Sequence, residues 1–205
     1  RYAGTIDLRI GIEADYVMGE EGVYRSAFAA SDLDYVIGSV HAFGPFHVYQ
    51  PETWPAAARR GELLAAYFEH VRAAATSGLF DVLGHFDAVK VHAPEVFDVA
   101  RAELEVTLDA IADSGIVVEF NTAGSRKCGE VFPRPELARR LVDRGVAFTY
   151  GSDAHAPAEV GFGFGRVLQL CHAIGVRSLA TFRGRAREDV PLPALQSGRG
   201  NQRAL

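Results

Sequence analysis

The sequence has few cysteines and little excess charge, and each of these shortages excludes a class of protein. Only two cysteines, Cys128 and Cys171, occur among 205 residues. They stand far apart and in no spacing typical of a metal or redox site, which favours a reducing compartment over a disulfide-stabilised secreted protein. The formal net charge of -5 and a pI near 5.8 argue against binding to nucleic acid over a large surface.

No signal peptide and no apolar run long enough to cross a bilayer can be recognised. We therefore expect a cytoplasmic protein with no membrane partner. The composition is otherwise ordinary, with 48% hydrophobic and 23% charged residues, and the length suits one domain with a sizeable core. The chain opens on Arg1 and soon enters a predicted strand, which suggests a fragment or a processed product.

Strands and helices alternate along the chain. Apolar and β-branched runs predict strands over residues 5–17, 34–41, 80–87, 116–121, 146–150 and 179–182. Apolar residues at three- and four-residue spacing predict helices over residues 22–30, 56–77, 100–114, 135–144 and 160–174. This alternation predicts a parallel sheet with helices outside it, as an open sheet or a barrel.

An aromatic segment without regular pattern, residues 42–55, separates the second predicted strand from the longest predicted helix. It contains Phe43, Phe46, His47, Tyr49 and Trp54. We interpret the segment as a specificity wall at the mouth of a site rather than as a piece of the core. His47 is then either a substrate contact or an exposed loop histidine.

Five potential metal ligands lie at the carboxyl ends of predicted strands: Glu13, His41, His85, Asp153 and His155. Parallel α/β folds keep their functional sites at this edge. Mixed nitrogen and oxygen ligands suit zinc, manganese or iron, and a carboxylate such as Glu13 can bridge two ions. We therefore favour a metal site, which could activate water and stabilise the oxygens of a phosphate ester, over five unrelated structural residues.

Arg126 is the best candidate anion ligand that the residues themselves offer. It follows the fourth predicted strand, in the segment Gly124, Ser125, Arg126, Lys127. A guanidinium near a strand end can hold two phosphate oxygens at once. The alternative is a solvated surface charge.

Five short motifs occur in the order GIEADY (residues 11–16), DYVIGSVH (34–41), GHFD (84–87), EFNTAGSRK (119–127) and GSDAH (151–155). Together they resemble the histidinol-phosphate phosphatase branch of the polymerase and histidinol phosphatase (PHP) superfamily. The resemblance implies a distorted (β/α)7 TIM-like barrel over residues 1–192, and the Gly, Arg and Gln residues near the end of the chain predict a flexible tail over 193–205. The resemblance further implies up to three divalent ions (Zn, Mn or Fe) and hydrolysis of histidinol phosphate to histidinol and phosphate in histidine biosynthesis.

The resemblance also implies a role for each predicted ligand. Glu13 would be shared between the first and second metals, and His41 and His85 would complete the second. Asp153 would bind the first metal and His155 the third.

For the reaction itself, the resemblance implies a catalytic set of Glu13, Asp153 and Arg126, with Arg126 holding the substrate phosphate. Lys90 lies where the family tends to place a second basic group for that phosphate. Glu119 is expected to support the site rather than to bind metal.

The sequence departs from this family at its beginning. Members begin with a His-x-His motif and carry two further histidine ligands before the strand of Glu13, whereas no histidine precedes His41 here. The resemblance therefore implies a barrel truncated at its amino-terminal end. Such a barrel would expose apolar strand edge, so we expect an unstable monomer or completion by association into a homo-oligomer.

Three functions follow as hypotheses. The first is the phosphatase just described, with a small phosphate monoester as its partner and no nucleic acid. The second is another PHP-type phosphoesterase with a nucleotide or phosphodiester substrate. The third is a catalytically inactive fragment that keeps the fold.

Overall fold

The computed structural model describes residues 4–56 and 59–194. Its strands are β1 (Gly11–Asp15), β2 (Tyr35–Ser39), β3 (Ala42–Phe43), β4 (Phe46–His47), β5 (Val82–Leu83), β6 (Val117–Asn121), β7 (Phe148–Gly151), β8 (Ser178–Arg183) and β9 (Ala186–Pro191). Five of them form one sheet in the order β1-β2-β5-β6-β7, and every neighbouring pair in it is parallel. The predicted parallel α/β architecture is therefore confirmed.

The helices connect these strands. They are α1 (Glu21–Ala29), α2 (Arg60–Thr76), α3 (Val96–Val99), α4 (Arg101–Ser114), α5 (Ala123–Lys127), α6 (Pro135–Asp143) and α7 (Phe164–Ile174). Five of the helices were predicted, and the short α3 and α5 were not. Helix α2 begins later than the predicted residue 56, and residues 57 and 58 lie outside the described part of the chain. Within the described residues, no helix combines the length and apolarity needed to cross a membrane.

Helices α2 and α4 bury apolar residues at helical spacing, which places the main core between them and the sheet. The fully buried residues on these two faces include Leu64, Phe68 and Val71 of α2 and Leu104, Leu108 and Ile111 of α4. Helix α4 ends at Gly115, whose φ of 72° lies in the left-handed region. Glycine adopts this conformation without a Cβ clash and so ends the helix just before β6.

The prediction of a strand over residues 5–17 is wrong for its first half. Strand β1 begins only at Gly11, which pairs with Tyr35 at the start of β2. Ile6, Leu8 and Ile10 are exposed instead of forming a buried strand. A strand needs a neighbour for its backbone groups, and the register of β2 offers one only from Gly11 onward.

The aromatic segment 42–55 contributes to the core, so its interpretation as a wall rather than a core piece is wrong in part. Strands β3 and β4 form a short antiparallel hairpin, and Phe46 and Val48 are buried. Phe46 packs edge-on against Trp54 and Tyr67. Alternation along the hairpin turns His47 and Tyr49 the other way, toward the ends of β1 and β2.

The sequence analysis finds β8 but misses β9. The two strands form an antiparallel hairpin that turns at Gly184 and Arg185, both with positive φ. Arg185 anchors the turn through an ion pair with Asp81 at 2.9 Å. On the other side, Thr149 of β7 donates a hydrogen bond to the carbonyl of Ala180 at 2.8 Å. From residue 195 on, the predicted flexible tail lies outside the described residues.

Candidate functional site: a metal centre at the carboxyl ends of the strands

Glu13, His41 and His85 converge at the carboxyl edge of the sheet. Glu13 lies on β1, His41 follows β2 and His85 follows β5, and these three strands are adjacent. One ligand atom from each residue lies within 4.8 Å of the other two. The Nε2 atoms of the two histidines are 3.2 Å apart, and Glu13 Oε1 lies 3.2 Å from His85 Nε2 and 3.8 Å from His41 Nε2.

Two further residues hold this cluster in place, and the sequence analysis assigned a role to neither. Asp15 accepts a hydrogen bond from His41 Nδ1, and the buried Ser39 donates one to Glu13 Oε1 at 2.6 Å. The sequence spacing of Asp15 and Ser39 could have indicated these supporting roles. Asp15 follows Glu13 by two residues and Ser39 precedes His41 by two, so in extended chain each points to the same side as its ligand.

The electrostatics of the cluster couple the Glu13 carboxylate to the His85 imidazole. A hydrogen bond from His85 lowers the pKa of Glu13 to about 2, against the opposing effect of burial. Burial alone would lower the pKa of His85, but Glu13 and the nearby Glu119 outweigh it and raise that pKa. Glu13 therefore remains ionised at neutral pH and presents a negative charge to an entering cation.

The arrangement fits a divalent metal ion on its own geometry. The Nε2 lone pairs of two imidazoles and one carboxylate oxygen face a common point, and these are ligand types that zinc accepts. The hydrogen bond from Nδ1 to Asp15 fixes the tautomer of His41 and leaves its Nε2 free to ligate. Such a carboxylate behind a metal-binding histidine is the usual outer support of such sites.

Asp153 and His155 lie in the loop after β7 and approach the same region less closely. The side chain of Asp153 is 13% exposed, and that of His155 is 80% exposed. The Asn121 amide donates to Asp153 Oδ2 at 3.4 Å and to Glu119 at 2.9 Å, while its oxygen accepts from the backbone N–H of Ala123. Asp153 thus has one side-chain anchor on the sheet, and His155 projects toward solvent.

Arg126 holds this loop together in the structure. Its guanidinium donates to the carbonyls of Ser152 and Asp153 at 3.1 to 3.4 Å, and it pairs with Glu159 at 3.2 Å. Glu159 also accepts a hydrogen bond from the backbone N–H of His155. The predicted anion ligand therefore lies next to Asp153, and many of its hydrogen bonds are already made to the loop.

Lys90 is buried, and its geometry gives no support to the predicted phosphate-binding role. Its ammonium lies 3.1 Å from Asp87, 3.2 Å from Glu130 and 2.7 Å from the carbonyl of Val131. These three acceptors match its three N–H donors. Burial raises the pKa of Asp87, while Lys90 opposes that rise. Lys90 thus neutralises an interior carboxylate beneath the site.

Glu119 supports the site from inside the sheet. Its side chain is buried beside Gly151 on the neighbouring strand. A Cβ added to Gly151 would lie 1.9 Å from a Glu119 oxygen, so glycine leaves room for this carboxylate in its present position. Burial raises the pKa of Glu119, and its carboxylate is not part of the convergent group, which consists of Glu13, His41 and His85.

A cavity of about 250 Å³ lies over the cluster. It is lined by Glu13, His41, His47, Tyr49, His85, Lys127, Asp153 and His155. All five predicted ligands therefore line one cavity. Only three of them, Glu13, His41 and His85, converge closely. Tyr49 lines the cavity as part of the predicted aromatic wall, and Lys127 is a lining residue to which the sequence analysis gave no role.

Comparison of the chain with known proteins shows which proteins it is similar to. Residues 1–123 match the PHP domain family. A protein of Deinococcus radiodurans named a probable histidinol-phosphatase is 40% identical over 190 residues, which cover 90% of this chain and 71% of that protein. The histidinol-phosphatase of Bacillus subtilis is 24% identical over 192 residues, which cover 83% of this chain and 71% of that enzyme.

A solved structure gives the same fold. The histidinol phosphate phosphatase of Lactococcus lactis, crystallised with Zn, L-histidinol and phosphate, superposes with a TM-score of 0.71 at 20% identity. The match covers 91% of this chain and 74% of that one. This similarity confirms the predicted fold class of a distorted TIM-like barrel.

Proposed function

The chain belongs to the PHP domain family, and on this premise we propose that it is a metal-dependent phosphatase that converts histidinol phosphate to histidinol and phosphate. It is then a phosphoric monoester hydrolase of histidine biosynthesis. Its relatives in Deinococcus and Bacillus carry histidinol-phosphatase names, and its structural relative binds Zn, L-histidinol and phosphate.

The observation that carries the proposal is the convergence of Glu13, His41 and His85 at one point above the sheet. A divalent ion held there supplies Lewis-acid chemistry, because it activates water and offsets negative charge on the phosphoryl oxygens. Glu13 contributes a fixed negative charge, since its pKa lies far below neutral pH. Asp15 keeps His41 Nε2 directed into the cluster.

The residues on the far side of the cavity complete the proposed site. Asp153 faces the cluster from the loop after β7 and is the candidate ligand of a first ion, with His155 as the candidate ligand of a third. Arg126 stays a predicted phosphate ligand next to Asp153. In the present geometry it first orients the backbone that carries both candidate ligands.

The cavity also bears on the kind of substrate. The rings of His47 and Tyr49 form one wall, with His47 stacked on His41 at a centroid distance of 6.4 Å. A volume of about 250 Å³ suits a small phosphate monoester, and the net charge of -5 disfavours a nucleic-acid partner.

We place the protein in the cytoplasm, with association into a homo-oligomer as its proposed assembly.

The test is phosphate release from histidinol phosphate by the full 205-residue chain after addition of zinc or manganese. His41→Asn and Asp153→Asn are expected to reduce release strongly, and His172→Asn on α7, outside the cavity, serves as the matched histidine control. Release that is the same in all four proteins would show that the hydrolysis does not occur in this cavity. No release by the wild-type chain would refute the proposed activity.

A further inference from the structure

The basic groups near the cavity differ in what already binds them. The chain has two lysines, Lys90 and Lys127. The buried Lys90 is paired with Asp87 and Glu130. Arg126 is paired with Glu159 and holds two backbone carbonyls. Both cations that the sequence analysis proposed for phosphate are therefore already engaged by protein groups.

Lys127 has a different environment. It is the last residue of α5, it is exposed, and its ammonium lies 4.1 Å from the centre of the Tyr49 ring. Across residues 4–56 and 59–194, no carboxylate lies within 4.0 Å of this ammonium. A cation on an aromatic face is held in place without spending its N–H donors, because the attraction comes from the electrons of the ring.

The position of Lys127 places that charge in the cavity over the Glu13, His41 and His85 cluster. Lys127 and Tyr49 line the same cavity of about 250 Å³ as Glu13, His41 and His85. Of the eight residues that line it, Lys127 alone carries a permanent positive charge. The other charged side chains are carboxylates, which would repel a phosphate dianion unless cations offset them.

We propose that Lys127, held on the ring of Tyr49, is a further side chain that binds the phosphate group of the substrate over the Glu13, His41 and His85 cluster. This inference rests on the proposed function for the identity of the substrate, but not for the anion site itself. The ammonium donates charge-assisted hydrogen bonds to the non-bridging phosphate oxygens, and Tyr49 fixes its direction. Arg126 acts from behind, through the loop that carries Asp153.

The first test uses inorganic phosphate as the probe and does not depend on turnover. The rate at which reductive methylation modifies Lys127 is measured by peptide mass spectrometry with and without phosphate, in zinc-loaded protein. Phosphate at about ten times its dissociation constant should slow the reaction about tenfold. Lys90 should react slowly in both samples because it is buried, and sulfate at equal ionic strength controls for general anion effects.

The second test compares Lys127→Met with Lys127→Arg, using Arg101→Gln on the surface of α4 as the charge-matched control. Lys127→Met should raise the KM for histidinol phosphate and the inhibition constant of inorganic phosphate by about tenfold each, since one charged hydrogen-bond donor is lost. Metal content should stay unchanged. Lys127→Arg should recover most of the affinity, and Arg101→Gln should match the wild type.

The outcomes separate this inference from the proposed function. If phosphate protects Lys127 but the chain releases no phosphate from histidinol phosphate, the anion site stands and the proposed activity fails. If the chain is active but phosphate does not protect Lys127, or if Lys127→Met leaves both constants unchanged, the inference is overturned and the activity stands.

Discussion

The two halves of the candidate site are built in different ways. Glu13, His41 and His85 lie on or directly after adjacent parallel strands, and the sheet register brings their donor atoms within 4.8 Å. Asp153 and His155 lie on a loop that Arg126 and Glu159 hold at the surface. The strand-end half is therefore fixed by the fold, whereas the loop half depends on a few surface contacts.

This difference predicts which half of the site binds metal more tightly. A ligand is preorganised when the groups around it are themselves fixed, as Ser39 and Asp15 are for Glu13 and His41. An 80% exposed side chain such as that of His155 must lose conformational freedom when it ligates. We expect the strand-end half to bind metal first and more tightly.

The largest effect is expected from His85→Asn, compared with His155→Asn. Loss of a buried direct ligand should weaken metal binding by more than about 100-fold, the upper figure for loss of an outer partner. His155→Asn should weaken the tightest site far less, because His155 does not belong to the convergent group. Isothermal titration with zinc measures both. Equal losses of zinc affinity in the two variants would contradict the prediction that the strand-end half binds metal more tightly than the loop half.

A large effect on stability, rather than on the site, is expected from Lys90→Ala. The change leaves the fully buried Asp87 without its cation, and breaking such a pair costs about 3–5 kcal/mol of unfolding free energy. Denaturant titration measures this cost. The double variant Asp87→Asn, Lys90→Met should recover part of it. A selective rise in KM for histidinol phosphate, without loss of stability, would restore Lys90 as a phosphate ligand.

A moderate effect is expected from Asp15→Asn. The amide cannot accept the His41 hydrogen bond as strongly as the carboxylate does, and a hydrogen bond from His41 lowers the pKa of Asp15 in the native protein. Loss of such an outer partner typically weakens metal binding by about 10- to 100-fold. Competition with a zinc chelator measures the affinity, and the exposed Asp113→Asn is the matched control. An affinity equal to that of the control would show that Asp15 does not orient His41.

The smallest effect is expected from Glu159→Gln in the loop half. The variant loses the partly exposed ion pair with Arg126 but keeps an oxygen to accept from the backbone of His155. Exposed pairs contribute about 0–1 kcal/mol, so kcat/KM should fall by at most about fivefold. Steady-state phosphate release measures it. A fall of two orders of magnitude would instead make the Arg126 pair essential to the arrangement of the loop.

The convergence of Glu13, His41 and His85 could be predicted from the sequence because each lies on or directly after a recognisable strand. Parallel strands end at one edge, so their terminal side chains meet without any knowledge of helix packing. The start of β1 could not be predicted, since it depends on where β2 begins to offer a partner. The same holds for the buried Phe46 in the aromatic segment, which packs against Tyr67 of α2.

The environments of the two lysines could not be predicted from the sequence, because burial decides them. Lys90 and Lys127 have the same side chain, yet one neutralises Asp87 in the interior and the other rests on Tyr49 in the cavity. Sequence position near a strand end does not distinguish the two, because the short 3-10 turn at Ala88–Val91 rotates Lys90 inward. Three-dimensional contacts were needed to tell their environments apart.

The central claim is that Glu13, His41 and His85 bind one divalent ion, and X-ray absorption on the full chain loaded with one zinc equivalent tests it most directly. We predict a shell of nitrogen and oxygen ligands at about 2.0–2.2 Å with outer scattering from two imidazoles, reduced to one in His41→Asn. A spectrum without imidazole scattering, or with a sulfur ligand at about 2.3 Å, would contradict the account.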